Sequence, residues 1–150
     1  MDLRTVTAAD TADLRREVLR GGRPVALPGD SEQAFHLGAY DGTTLVGTGN
    51  VRREPAPWAT DPQEAAGPAW RIRGMATAPA YRSRGVGTLV LEGLLAHVRA
   101  DGGGLVWFNA RTPAQRFYER AGFVTRGEPW EDPEIGPHVS MWAQITEQVS

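Results

Sequence analysis

Hydrophobic positions along the chain follow two periods, and the places where one gives way to the other mark the elements. Residues 3–6, LRTV, fit a short first strand. From Asp10 to Arg20, Leu14 and Val18 lie one turn apart, which predicts an amphipathic helix stopped by Gly21-Gly22 and Pro24. PGDSEQ, 28–33, is a loop. At AFHLGAY (34–40) the period drops to two: Phe35, Leu37 and Ala39 alternate with His36, Gly38 and Tyr40. Asp41-Gly42 is the strongest short hairpin signal in the chain, and TLVGTGNVR (44–52) returns as the partner strand.

Residues 54–68, EPAPWATDPQEAAGP, hold four prolines and little pattern, as a long surface loop does. WRIRGMAT (70–77) is the next strand. The best helix follows at 86–100, where Val86, Leu89, Val90, Leu94 and His97 or Val98 make a wide apolar stripe. GGG at 102–104 ends it, and LVWF (105–108) is the continuous apolar run of a strand covered on both faces. TPAQRFYERAGF (112–123) predicts a compact helix. Thr112 suits its N-cap, Pro113 its first position and Gln115 a capping box. Ala114, Phe117, Tyr118 and Ala121 share a face, and Gly122 stands where a left-handed cap belongs. Residues 124–148 read as two strands around a polar loop. The order strand, helix, three strands, helix, strand, helix, two strands implies an α/β fold with a mixed sheet. Within it, 70–108 forms a parallel, right-handed crossover. A chain of 150 residues without repeats or a dividing linker reads as one domain, 1–150.

Composition narrows the chemistry. With no cysteine, disulfides, thiolate metal sites and cysteine nucleophiles are excluded. All sixteen basic residues are arginine, so no lysine Schiff base forms and any side-chain cation that holds an anion does so with a planar fork. A net charge of −2 argues against general nucleic-acid binding. MDLRTVTAADTADL carries no apolar stretch of signal-peptide type, and no segment nears the roughly 18 apolar residues of a membrane span. The expectation is a cytoplasmic, bacterial-type enzyme without membrane or nucleic-acid partners.

The stretch YRSRGVGT (81–88) joins a strand to the long helix. The first backbone N–H groups of a helix lack intrahelical partners, and the helix dipole adds about half a positive charge there. Gly85 and Gly87 let the backbone approach a phosphate, and Arg82 and Arg84 add charge. It is neither a Walker loop nor G-x-G-x-x-G, and alone it reads equally well as a polar turn.

Together, RGMATAPAYRSRGVGTLVLEGLL and NARTPAQRFYERAGF resemble the GNAT superfamily of acetyl-CoA-dependent N-acetyltransferases, closely over residues 70–123. The resemblance implies six to seven strands with helices on both faces, and splayed parallel central strands, 70–77 and 105–109, that admit coenzyme A. It places the pyrophosphate on backbone N–H groups of Arg84, Gly85, Val86, Gly87 and Thr88, with Arg82 and Ser83 also in the cofactor-binding set, and the pantetheine arm along Met75, Ala76 and Thr77. Gly74 suits a bulge opening that edge or a close-packed site, and Asn109 suits a pantetheine contact or a strand-end turn. Ala114 joins the cofactor-binding set by the same resemblance.

The implied reaction is attack of a neutral primary amine, on a small molecule or peptide, on the acetyl thioester. It needs no metal and no covalent enzyme intermediate. Tyr118 occupies the position of the family's acid, and the other reading makes it core beside Phe117. Glu131 and His138 are candidate bases, with Asp132, Glu134 and Glu54 as further carboxylates. Arg71 and Arg73 offer cations to an acidic acceptor or form a solvated face. Trp58 and Trp130, placed in polar loops, line an acceptor pocket or cover the core edge. The tail strands offer a homodimer surface by analogy. The alternative function is a non-catalytic acyl-CoA sensor on the same fold, and another anion binder, such as a nucleotide-binding protein, is the second rival.

Overall fold

The computed structural model describes residues 1–19, 33–59, 67–133 and 136–148. The expectations for Arg20, Gly21-Gly22, Pro24, most of PGDSEQ, the middle of the 54–68 loop and Glu134 lie outside these residues. The elements are β1 (Asp2–Val6), α1 (Ala8–Leu19), β2 (Phe35–Asp41), β3 (Thr44–Arg53), β4 (Ala69–Thr77), α2 (Val86–Ala100), β5 (Gly104–Arg111), α3 (Gln115–Arg120), β6 (Val124–Asp132) and β7 (Gly136–Ile145). They follow the expected order. Seven strands form one mixed sheet, ordered β1-β2-β3-β4-β5-β7-β6. The chain divides into two compact units, Met1–Arg52 with Ile72–His97 and Arg53–Arg71 with Val98–Ser150.

In the first unit, α1 starts two residues earlier than its apolar spacing suggests, because Thr7 and Asp10 cap it reciprocally. The Asp10 N–H donates to Thr7 Oγ1 at 3.2 Å and the Thr7 N–H to Asp10 Oδ2 at 3.0 Å. β2 pairs antiparallel with β1 and β3, and the hairpin turns at Gly42-Thr43 with Gly42 at φ +63°. The strands carry a helix on each face. A Cβ on Gly49 would lie 3.1 Å from both Val90 and Leu94 of α2, and one on Gly93 would strike Leu3 and Leu37. The next residue along β3, Asn50, points the opposite way and lies with Arg15 of α1 against Gly74. Val86, Val90, Leu91 and Leu94 of α2 are buried in this unit, each burial worth about 1.5–3 kcal/mol. Leu89, expected in the stripe, is half-buried, and Leu91 and Leu95 are buried with it.

In the second unit, β4 and β5 pair in parallel from Ala69↔Leu105 to Arg71↔Trp107. β5 then pairs antiparallel with β7 along its whole length, and β6 lies outside β7. Successive β5 residues use opposite faces. Phe108 packs on Tyr118 at 4.3 Å and Phe123 at 4.9 Å between ring centres, whereas Trp107 meets Trp58 edge-on at 5.7 Å. The indoles are satisfied: Trp107 Nε1 donates to the Glu54 carbonyl at 2.9 Å and Trp70 Nε1 to that of Gly103 at 3.1 Å.

The helix expected over 112–123 is shorter. Thr112–Ala114 form a 3-10 turn, and α3 follows from Gln115 with Ala114 as its cap and no side-chain cap bond. Thr112 is therefore not a helix N-cap: the strand end runs straight into the turn, and Gln115, the other half of the expected capping box, opens α3 instead. Ala121 is exposed, while Gly122 adopts φ +98° and closes α3 as expected.

Candidate functional site

The most pronounced local geometry lies where β4 leads into α2, within the first unit. The Ala78 N–H donates to the Val46 carbonyl at 2.8 Å, fixing the chain as it leaves the strand. Pro79–Tyr81 then make a 3-10 turn, and Arg82 is extended at φ −64°, ψ 148°. Ser83 follows at φ +63°, the one non-glycine residue with positive φ among those described, and Gly85 has φ +82°. A left-handed serine costs about 1–2 kcal/mol, so its surroundings must impose it. Ser83 and Gly85 thus set two left-handed residues on either side of Arg84, a kind of loop in which anion-binding nests form.

The Leu89 N–H donates to the Gly85 carbonyl at 3.0 Å, which makes Gly85 the residue that opens α2. The N–H groups of Val86, Gly87 and Thr88 precede the first intrahelical bond. No acidic residue occupies this first turn. The positive end of the dipole therefore meets no carboxylate of its own helix. Arg82, Ser83, Arg84, Gly85 and Thr88 are exposed, whereas Val86 is buried. A Cβ built on Gly85 would meet no atom within 4 Å, so the loop opens on free space. The loop thus leaves backbone donors at the positive end of a helix dipole, with the exposed Arg82 and Arg84 beside them.

Four strand positions upstream, 74–77, complete this unit's part. Gly74 holds φ +65°, and a Cβ there would lie 3.0 Å from Asn50 Nδ2 and 3.2 Å from Arg15 Nε. Glycine is required on both counts, by its left-handed φ and by the close approach of Asn50 and Arg15. Beyond it, Met75 and Thr77 are half-buried and Ala76 is buried.

The second unit carries the remaining candidates. Tyr118 is buried against Phe108, Phe117 and Phe123, and burial pushes its phenol from 10.0 up to about 12. Asn109 is exposed on β5 and accepts a hydrogen bond from Ser140 Oγ at 2.9 Å. Ala114 is half-buried at the start of α3. His138 is buried in β7, stacked on Trp130 at 5.8 Å, with Nδ1 2.8 Å from the Gly136 carbonyl. Glu131 is exposed on β6, paired in register with Pro137. Trp130 and His138 are thus brought together, while Trp130 is a strand residue and not a loop residue as expected.

Glu54 and Arg71 answer each other: Arg71 Nη1 lies 3.0 Å from Glu54 Oε2, and its guanidinium sits 4.8 Å above Trp107. This engagement supports the structural reading of Arg71 and gives the candidate carboxylate Glu54 an ion-pair partner. Trp58 likewise packs on Trp107 and is covered by Arg126 at 5.1 Å. Sequence reasoning missed the hydrogen bond from the Tyr81 hydroxyl to Asp41, since 40 residues separate the two and only the tertiary fold joins them. It also missed the left-handed Ser83, for which serine gives no local signal.

A mixed seven-strand sheet with helices, in which β4 and β5 pair in parallel, matches the fold of solved acyl-CoA N-acyltransferases. The profile of the Acetyltransferase (GNAT) family matches residues 9–123, and the chain belongs to that family. It is 28% identical over 149 residues to YitI of Bacillus subtilis, described as an uncharacterised N-acetyltransferase, covering 97% of each chain. An acyl-CoA N-acyltransferase from Pseudomonas aeruginosa has a similar structure, with TM-score 0.71 and 22% identity over 94% of this chain and 97% of that one. So does an aminoglycoside 6'-N-acetyltransferase complexed with coenzyme A, with TM-score 0.67 and 16% identity over all of both chains.

Proposed function

We propose that this protein transfers an acetyl group from acetyl-CoA to a primary amine of a small molecule or peptide. The observation that carries the reading is the nest at 82–88, with left-handed Ser83 and Gly85 at the opening of α2. The N–H groups from Arg84 to Thr88 hold the diphosphate of the cosubstrate, and Arg82 and Ser83 border it. The backbone of Met75, Ala76 and Thr77 pairs with the pantetheine arm as an added strand would. The left-handed Gly74 directs the Met75 N–H toward the thioester oxygen, where it stabilises developing negative charge. Asn109 and Ala114 complete the cofactor contacts.

In the reaction a C–N bond forms, the C–S bond breaks and the amine's surplus proton is released. Tyr118 serves the acid side. At about 12 it stays protonated throughout the neutral range. Full transfer to a thiolate of ordinary acidity, about 8.5, is uphill by roughly 5 kcal/mol, so its role is to donate a hydrogen bond to the departing sulfur. Of the two candidate bases we favour His138: its Nδ1–H donates to the Gly136 carbonyl, which leaves Nε2 for the amine's proton, whereas Glu131 is exposed.

The aromatic packing of Tyr118 sustains the second reading, an acyl-CoA sensor with no turnover. A screen of primary amines with acetyl-CoA, following free thiol release, tests the proposal. Thiol release that depends on one class of amine supports transfer. Tight coenzyme A binding without turnover on any amine supports the sensor, and failure to bind coenzyme A overturns both.

A further inference from the structure

The glycine loop is held from outside by a side chain that the proposed reaction does not use. Tyr81 ends the 3-10 turn before the nest, and its backbone N–H donates to the Ala78 carbonyl at 2.8 Å. At the other end of the side chain, the hydroxyl donates to Asp41 Oδ2 at 2.5 Å. Asp41 closes the β2–β3 turn, where it pairs with Thr44. The ring is thus fixed at both ends between two segments of the first unit. Arg84, inside the nest, lies over that ring, its guanidinium carbon 5.4 Å from the centroid. The hydrogen bond to Asp41 holds the Tyr81 phenol above its ordinary range, so it remains a donor at physiological pH.

These contacts form one chain of dependence. A guanidinium stacks on an aromatic face while keeping its in-plane N–H groups available for an anion. A phenol that donates to a carboxylate presents a more electron-rich face, which favours the cation above it. Asp41, which accepts from the Tyr81 hydroxyl, acts on Arg84 through the ring.

We infer that Asp41 and Tyr81 are positioning residues for the phosphate seat, fixing the aromatic platform on which Arg84 waits for the cosubstrate's phosphates. The inference rests on the coenzyme A reading above. Loss of the platform lets Arg84 sample other rotamers, weakening binding of the anionic end of the cosubstrate while leaving acetyl transfer untouched.

The test uses the full chain and five proteins: wild type, Tyr81→Phe, Asp41→Asn, Arg84→Ala and the Tyr81→Phe/Arg84→Ala double variant. Calorimetry with coenzyme A gives Kd, steady-state assays on an accepted amine give KM and kcat, and thermal melts report folding. Tyr81→Phe and Asp41→Asn should each raise Kd and the KM for acetyl-CoA by about 2- to 5-fold, the range of one exposed cation–π contact, at constant kcat. In the Arg84→Ala background, Tyr81→Phe should change Kd by less than about 1.5-fold, because the platform then carries nothing. Should Asp41→Asn melt early, Tyr81→Phe, which removes one oxygen, still decides the matter. Equal Kd for wild type and Tyr81→Phe overturns the inference and leaves the cofactor reading intact. An undiminished effect in the Arg84→Ala background overturns it too, by showing that Tyr81 does not act through Arg84. A wild type that fails to bind coenzyme A overturns the cofactor reading and this inference with it.

Discussion

Gly85 and Gly67 make a matched pair for testing what the glycine loop does. Both have φ +82°, and a Cβ built on either meets no atom within 4 Å. Alanine at each position incurs the same left-handed strain, about 1–2 kcal/mol. Reduced freedom of the unfolded chain offsets about 0.4–1 kcal/mol of that. The net loss of about 1 kcal/mol lowers Tm by roughly 2–4 °C for a chain of this size. Stability alone therefore does not tell Gly85→Ala from Gly67→Ala. Binding should. The free space beside Gly85 is the space assigned to the diphosphate, and a methyl group there also pulls the loop's N–H groups out of line. Gly85→Ala should weaken coenzyme A at least about tenfold, or about 1.4 kcal/mol, while Gly67→Ala binds as wild type does. Calorimetry with coenzyme A, beside melts without ligand, measures both quantities. Two variants that melt alike and bind alike would refute the assignment of the nest.

Tyr118→Phe should lower kcat for acetyl transfer with little change in the KM for acetyl-CoA, as for a group that acts on the departing sulfur; an unchanged kcat contradicts that role. The same variant has a pH signature. The folded-state value near 12 lies above the unfolded 10.0, so the linked stability is complete below pH 10 and is lost as pH rises through 12. The two-unit difference is roughly 2–3 kcal/mol, and Tyr118→Phe should flatten that part of the stability curve in alkaline denaturation. Glu54→Gln leaves Arg71 half-buried over Trp107 without its carboxylate partner and should cost about 1 kcal/mol, read as a lower urea midpoint. Gly49→Ala sets a Cβ 2.4 Å from Met75 Sδ and 3.1 Å from Val90 and Leu94, and should destabilise by about 1–3 kcal/mol despite the flexible methionine.

Element order was legible because the chain changes period cleanly. α2 shows a helical stripe, β2 alternates, and β5 carries the apolar run 105–108, as its two packed faces require. The entry to α2 was legible for a different reason: arginine and glycine at that point serve a backbone requirement that local chemistry expresses. β6 was harder to place at residue level. It lies at the sheet edge and is exposed from Val124 to Glu131, so no alternation marks Trp130 as a strand residue. The early start of α1 did have a local signal, Thr7 followed by Asp10, which the apolar spacing alone passes over. The short α3 had no such signal, since whether Thr112 caps a helix or enters a 3-10 turn depends on how β5 ends. The Asp41–Tyr81 bond and the Glu54–Arg71 pair join residues 40 and 17 apart in sequence, a link that only the folded strands create.

The most direct test is a crystal structure of the protein with coenzyme A. The account predicts diphosphate oxygens about 2.7–3.2 Å from the N–H groups of residues 84–88, ordinary hydrogen-bond distance, with the pantetheine amides paired to the backbone of 75–77. Coenzyme A bound elsewhere, with those N–H groups meeting only water, would contradict it.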